Sequence, residues 1–65
     1  MTKYTVTWAG MPNGQEYHTS RLKDAKLIAK MQAFINGHAE VTKDDPPYRD
    51  IYFDRIGLDV KEVEM

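Results

Sequence analysis

The sequence predicts an α+β fold in which a single helix covers one face of a small antiparallel sheet. Residues 4–9 alternate large apolar with smaller polar side chains, which is typical of a strand. Residues 21–36 carry apolar side chains at helical spacing, and the alternation returns over residues 38–42 and 50–56. The order is therefore strand, strand, helix, strand, strand. Because a chain of 65 residues can build only one core, we expect a single domain over residues 1–65.

The first two strands form a predicted hairpin. Tyr4, Val6 and Trp8 alternate with polar residues, so we expect them to face the core. Residues 10–14 contain a proline and an Asn-Gly pair, which favour a turn. Residues 15–19 then return as the second strand.

Both ends of the helix are marked in the sequence. Thr19 and Ser20 offer hydroxyl groups that can cap the unpaired amides of a first turn, and Asp24 suits the positive end of the helix dipole. Asn36 is followed by Gly37, which can adopt the left-handed conformation that ends a helix. We therefore expect the helix to span residues 21–36.

This helix carries more apolar surface than a single sheet needs. Its apolar residues leave only a narrow polar stripe on a helical wheel, and such a surplus favours association with a second copy of the chain or with another protein. We expect Leu22, Ala29 and Ala33 to lie on the side away from the sheet, where small side chains permit close approach of another backbone. The arc that we expect to pack on the sheet comprises Leu27, Ile28, Met31, Phe34 and Ile35.

The C-terminal third is predicted to complete the sheet. Residues 43–47 include two prolines, which cannot donate hydrogen bonds to a neighbouring strand, so we expect a loop there. A fourth strand is predicted over residues 50–56. Gly57 either breaks or bulges this strand, while the alternation continues over residues 58–60. Residues 61–65 can extend the strand or fray.

Composition limits the environment of the protein. The chain has no cysteine, so no disulfide stabilises it, which fits a reducing cytosol and also many secreted bacterial proteins. It lacks the run of about 20 apolar residues that a membrane-spanning helix needs. Its N-terminal residues also lack the charged and apolar segments of a signal peptide. We therefore expect a cytoplasmic protein.

Charge is distributed unevenly along the chain. Residues 1–43 hold six basic and three acidic side chains, a net charge of +3, whereas residues 44–65 hold three basic and seven acidic side chains, a net charge of -4. The overall charge of -1 argues against a dedicated nucleic-acid-binding protein. The bipolar distribution favours encounters with charged partners.

The acidic segment over residues 44–54 is the first candidate for a binding surface. Tyrosine often anchors protein interfaces, and here it stands among carboxylates that suit a basic groove on a larger protein. The alternative is that Tyr52 or Phe53 fills the core while Tyr48 covers an edge of the sheet. The predicted partner-binding residues are Asp44, Asp45, Tyr48, Asp50, Tyr52 and Asp54.

A basic row on the helix is the competing candidate. Lys23, Lys26 and Lys30 share one side of the predicted helix, and Arg21 lies near its start. Such a row could contact successive phosphates of a nucleic acid, with two helices presented by a dimer. The alternative explanation is a solvated face, and the row has no interleaved aromatic residue that would stack on a base.

No catalytic or metal-binding motif stands out. His18 and His38 lack the spacing of a metal-ligand pair, and the adjacent Asp44 and Asp45 lack the pattern of a calcium-binding loop. Ser20 is the only serine, and we assign it to capping. We therefore expect a protein that is not an enzyme and that uses no metal and no cofactor. An active site shared across a dimer is the enzymatic alternative.

The favoured hypothesis is a small protein-binding module whose partner is a larger host protein, with a homodimer as a further expectation. In size the chain resembles small proteins of phages and mobile elements, which often inhibit or redirect host enzymes. This resemblance is one of general architecture, without shared motifs. The alternative function is nucleic-acid binding through the basic row.

Overall fold

The computed structural model describes residues 2–12 and 14–65, and it confirms the α+β class. All strand pairs are antiparallel and belong to one sheet, against which a single helix packs. The elements are β1 (Tyr4–Trp8), β2 (Tyr17–Thr19), α1 (Leu22–Asn36), β3 (His38–Lys43), β4 (Arg49–Ile56) and β5 (Asp59–Glu64). The strand order in the sheet is β2-β1-β3-β4-β5.

The N-terminal hairpin forms as predicted, with a shorter second strand. The chain is still turning at Gln15, whose amide donates to the carbonyl oxygen of Pro12 at 3.1 Å. Strand β2 therefore begins at Tyr17. Gly14 has a φ of +82°, as expected for this turn, while the predicted turn residue Asn13 lies outside the described residues.

The end of the helix follows the prediction, and its start differs. Gly37 adopts a left-handed conformation with φ at +99°, and its amide donates to the carbonyl oxygen of Ala33 at 2.7 Å. At the start, Arg21 occupies the capping position and its side chain makes no capping hydrogen bond. The prediction of a Thr19-Ser20 cap is therefore wrong, because Thr19 Oγ1 accepts from the amide of Arg21, before the first helical turn.

The helix packs on the sheet with the face opposite to the predicted one. Ala25, Ala29 and Ala33 are fully buried, and their small side chains let the helix approach the sheet closely. The bulk of the core comes instead from the sheet, chiefly from Phe53 and Ile51 of β4. Four residues that we predicted to face the sheet are exposed: Leu27, Met31, Phe34 and Ile35.

Two further apolar residues flank the alanine row at the edges of the helix–sheet contact. Leu22 and Ile28 are half-buried and pack against the core. In β1, Val6 is fully buried between the half-buried Tyr4 and Trp8, as its alternation predicts.

A fifth strand extends the predicted sheet. Gly57, with φ at +63°, turns the chain after β4, and β5 then pairs with β4 along its whole length. Arg49 donates two hydrogen bonds of 2.7 Å to the carboxylate of Glu64, which fastens the end of β5 to the start of β4. Because β2 has only three residues, β5 is the longer of the two edge strands.

Candidate partner-binding surface

Strand alternation places part of the predicted acidic segment on the sheet face that the helix leaves uncovered. Ile51 and Phe53 are fully buried beneath the helix. Successive side chains of a strand point to opposite faces, so Asp50, Tyr52 and Asp54 lie on the other side of the sheet. Phe53, and not Tyr52, therefore fills the core.

Strand β3 adds two residues that the sequence-based prediction did not include. Glu40 lies directly opposite Tyr52, and His38 lies opposite Asp54. The alternation of β3 could have indicated both residues. Ala39 is buried beneath the helix, so its neighbours His38 and Glu40 point to the uncovered face. We call the resulting surface the acidic sheet face; it consists of Glu40, Asp50, Tyr52 and Asp54.

Side chains on this surface are held by their neighbours. The ring of His38 stacks on that of Tyr52, with a centroid distance of 6.2 Å and an angle of 24° between the planes. Nδ1 of His38 lies 2.7 Å from Oδ1 of Asp54. On the strand that flanks β4 opposite to β3, Lys61 of β5 is the register partner of Asp54. Tyr52 therefore stands in a defined position between acidic groups.

The local charge acts on the Tyr52 hydroxyl. The negative charge of Glu40 raises the pKa of Tyr52 above its usual value, and burial and Asp50 act in the same direction. A phenol is protonated at neutral pH even at its ordinary pKa, so Tyr52 can donate a hydrogen bond, and the Glu40 carboxylate is one acceptor within reach. An approaching phosphate would meet the same negative charges, which favour a cation instead.

The remaining members of the predicted site lie in the loop between β3 and β4. Asp44 accepts a hydrogen bond of 2.8 Å from the hydroxyl of Thr5, whose oxygen also lies 3.1 Å from Nδ1 of His18. Asp45 is half-buried, whereas Tyr48 is 72% exposed. Asp44 therefore has a structural contact, and the predicted segment divides into a loop and a sheet surface.

The basic row lies along the flank of the helix that faces β5. Nζ of Lys26 is 2.9 Å from Oε2 of Glu62, so one charge of the basic row is already paired. Arg21, Lys23 and Lys30 are exposed to solvent. The row thus combines three exposed cations with one that an acidic strand neutralises.

The two histidines lie on different strands and have different acidic neighbours. His18 is 3.5 Å from Glu16, and His38 contacts Asp54. Within residues 2–12 and 14–65, no group of three or more His, Cys, Asp or Glu side chains is arranged to hold a metal ion.

Comparisons with protein-family models, curated proteins and solved structures returned no match. In the described part of the chain, no helix has the length and apolar character needed to cross a membrane.

Proposed function

We propose that this protein is a non-enzymatic binding module that docks through the acidic sheet face onto a basic surface of a larger protein. The supporting observation is the placement of Glu40, Asp50 and Asp54 around Tyr52 on a face without a covering helix. Glu40 lies opposite Tyr52, so Asp50 and Asp54 are its diagonal neighbours at about 7–8 Å, a spacing at which the carboxylates can accept from separate arginine or lysine side chains of a partner.

Tyr52 supplies the apolar anchor of the proposed interface. Tyrosine is enriched among the residues that contribute most to protein binding. Stacking on His38 and placement in the middle of β4 restrict its ring before any partner arrives. Less side-chain entropy is then lost on binding, which favours affinity.

Charge also discriminates between the proposed partner and the competing one. Nucleic acid would be repelled by the acidic sheet face and would have to bind the helix flank, where Lys26 already contacts Glu62. A basic protein surface would be attracted by Glu40 and Asp50, while Lys61, opposite Asp54, limits the attraction at the β5 edge. The idea that the chain is a phage or mobile-element inhibitor of a host enzyme stays a prediction from its size.

Charge reversal on the acidic sheet face tests the proposal. We expect the Glu40→Lys/Asp50→Lys variant to lose the partner that the parent protein captures from a bacterial lysate, because two attractive charges become repulsive. The captured protein, once identified and purified, should bind the parent more weakly as salt is raised. Equal binding of the reversed variant would refute the proposal.

A matched control separates local charge from overall charge. As a pair of matched single variants, Glu16→Lys changes the net charge by the same amount as Glu40→Lys, at an exposed position outside the acidic sheet face, and it should retain the partner that Glu40→Lys binds more weakly. Circular dichroism should show that both variants are folded. The competing function is tested by a gel-shift titration with labelled duplex DNA at low salt. We expect the parent protein not to shift the DNA. A shift that is lost in the Lys23→Glu/Lys30→Glu variant would favour nucleic-acid binding instead.

A further inference from the structure

The outward side of the helix is apolar where a solvated helix would be polar. Leu27 is 62% exposed and Ile35 is 64% exposed, and the turn between β4 and β5 adds Leu58 at 88%. The helical members fall within an arc of about 100° that is centred opposite the buried Ala29. We call this surface the apolar helix face; it consists of Leu27, Met31, Phe34, Ile35 and Leu58.

This face is preformed and concave. It borders a groove of about 470 Å³ between the helix and the start of β5, with Val60 among its lining residues. Arg55 holds the two walls together: its guanidinium lies 4.6 Å from the centre of the Phe34 ring and donates to the carbonyl oxygens of Phe34 and Gly57. An occupant would therefore meet a surface that is already ordered.

We propose that a second copy of the chain covers the apolar helix face, related by a two-fold axis that passes near Met31. The core of one chain is small, since four of the eight buried apolar residues within residues 2–12 and 14–65 are alanines. Small domains commonly gain missing stability by association. A second copy is present wherever the protein is made, so it can supply this stability without any other component.

The exposed area is sufficient for such a dimer. With side chains of roughly 100–200 Å² each, the face presents on the order of 400 Å² of apolar surface per chain, more than scattered surface residues account for. Interfaces are about 60% apolar, so pairing two copies corresponds to a total buried area of roughly 1,300 Å². This lies within the range of stable protein interfaces.

Charges around the face do not oppose self-association. The groove is bordered by Lys30 and Asp59, one of each sign, and the nearby Lys26 is neutralised by Glu62. A two-fold arrangement therefore brings together balanced rims instead of like charges. It also leaves the acidic sheet face free, because that surface lies on the opposite side of the sheet. This inference is independent of the proposed function.

Sedimentation equilibrium tests the dimer directly. At about 100 µM, above the micromolar dissociation constants that weak interfaces of this size show, the parent protein should have twice its chain mass of 7.5 kDa. Leu27→Gln/Ile35→Gln should weaken the dimer by about 100-fold or more. The control Ile56→Gln removes an isoleucine of matched exposure, 60%, from outside the face and should stay dimeric. A monomeric parent, or a dimer that only Ile56→Gln weakens, would overturn the proposal.

A cross-linking experiment gives a second measurement that does not depend on the double variant. The chain has no cysteine, so Met31→Cys introduces a unique thiol close to the proposed axis. Under mild oxidation this variant should form a disulfide-linked dimer much faster than Ile56→Cys. Equal rates for the two thiols would contradict the placement of the axis.

Discussion

Enlarging Ala29 tests the closeness of the helix to the sheet. Ala29 is fully buried and faces the side chains of the sheet, so Ala29→Leu would add three carbon atoms where the structure offers no room. Overpacking of this kind costs about 1–3 kcal/mol. A domain of this size has a free energy of unfolding of roughly 3–10 kcal/mol, so the change would remove a large share of it. Intrinsic helix propensity differs little between alanine and leucine, which leaves packing as the cause.

Thermal and urea unfolding, followed by circular dichroism, measure this effect. A loss of about 2 kcal/mol should lower the melting temperature by about 8–16 °C. The matched control is the reverse change on the exposed side, Leu27→Ala, which should cost less than about 1 kcal/mol when the protein is dilute enough to be monomeric. If Ala29→Leu were as stable as the parent while Leu27→Ala lost more, the assignment of the two helix faces would be wrong.

Two further predictions concern the contacts that fasten β4 and β5. Arg55→Ala should lower the free energy of unfolding by about 1 kcal/mol, because the cation–π contact with Phe34 and the hydrogen bond to Gly57 are lost. Amide hydrogen exchange in the β4–β5 turn should become faster. Unchanged exchange there would contradict this role of Arg55. The hydrogen-bonded Arg49 lowers the pKa of Glu64, so this pair stabilises the fold above the usual glutamate pKa, and the contribution disappears as the pH falls through the lowered value. Glu64→Gln should therefore flatten this part of the acid dependence of urea unfolding, and an unchanged profile would count against it.

Local signals in the sequence were sufficient for the helix and for strands β1, β3 and β4. The helix ends where Gly37 can take a positive φ, and β4 alternates around Ile51 and Phe53 as expected. These features depend on short-range sterics and on the period of the apolar pattern, both of which are visible in a single sequence.

The sequence pattern could not show which side of the helix faces the sheet. Its apolar residues surround most of the wheel, so the pattern alone does not select a side. The choice depends on the space above the sheet, which Phe53 and Ile51 already fill and which only small residues such as Ala29 can enter. That information lies in three-dimensional packing and not in hydrophobicity.

The predicted site was recovered only in part for a related reason. The sequence shows that acidic residues are close together in the chain, but a loop removes Asp44, Asp45 and Tyr48 from the sheet face that Asp50 shares with Tyr52 and Asp54. Pairing with β3 then brings in Glu40, which is distant in the sequence. Strand β5 was similarly hard to foresee, because its mostly charged residues carry little apolar alternation.

The two-sided sheet has a consequence for stoichiometry. The helix lies on one side and the carboxylates around Tyr52 lie on the other, so a helix-to-helix dimer would display two identical docking sites that point away from each other. A target with two basic sites at a matching distance would then be held bivalently, with avidity that can exceed the single-site affinity by about 100-fold or more. A target with a single site would gain nothing from the pairing, and selectivity would depend on the spacing of sites as well as on their charge.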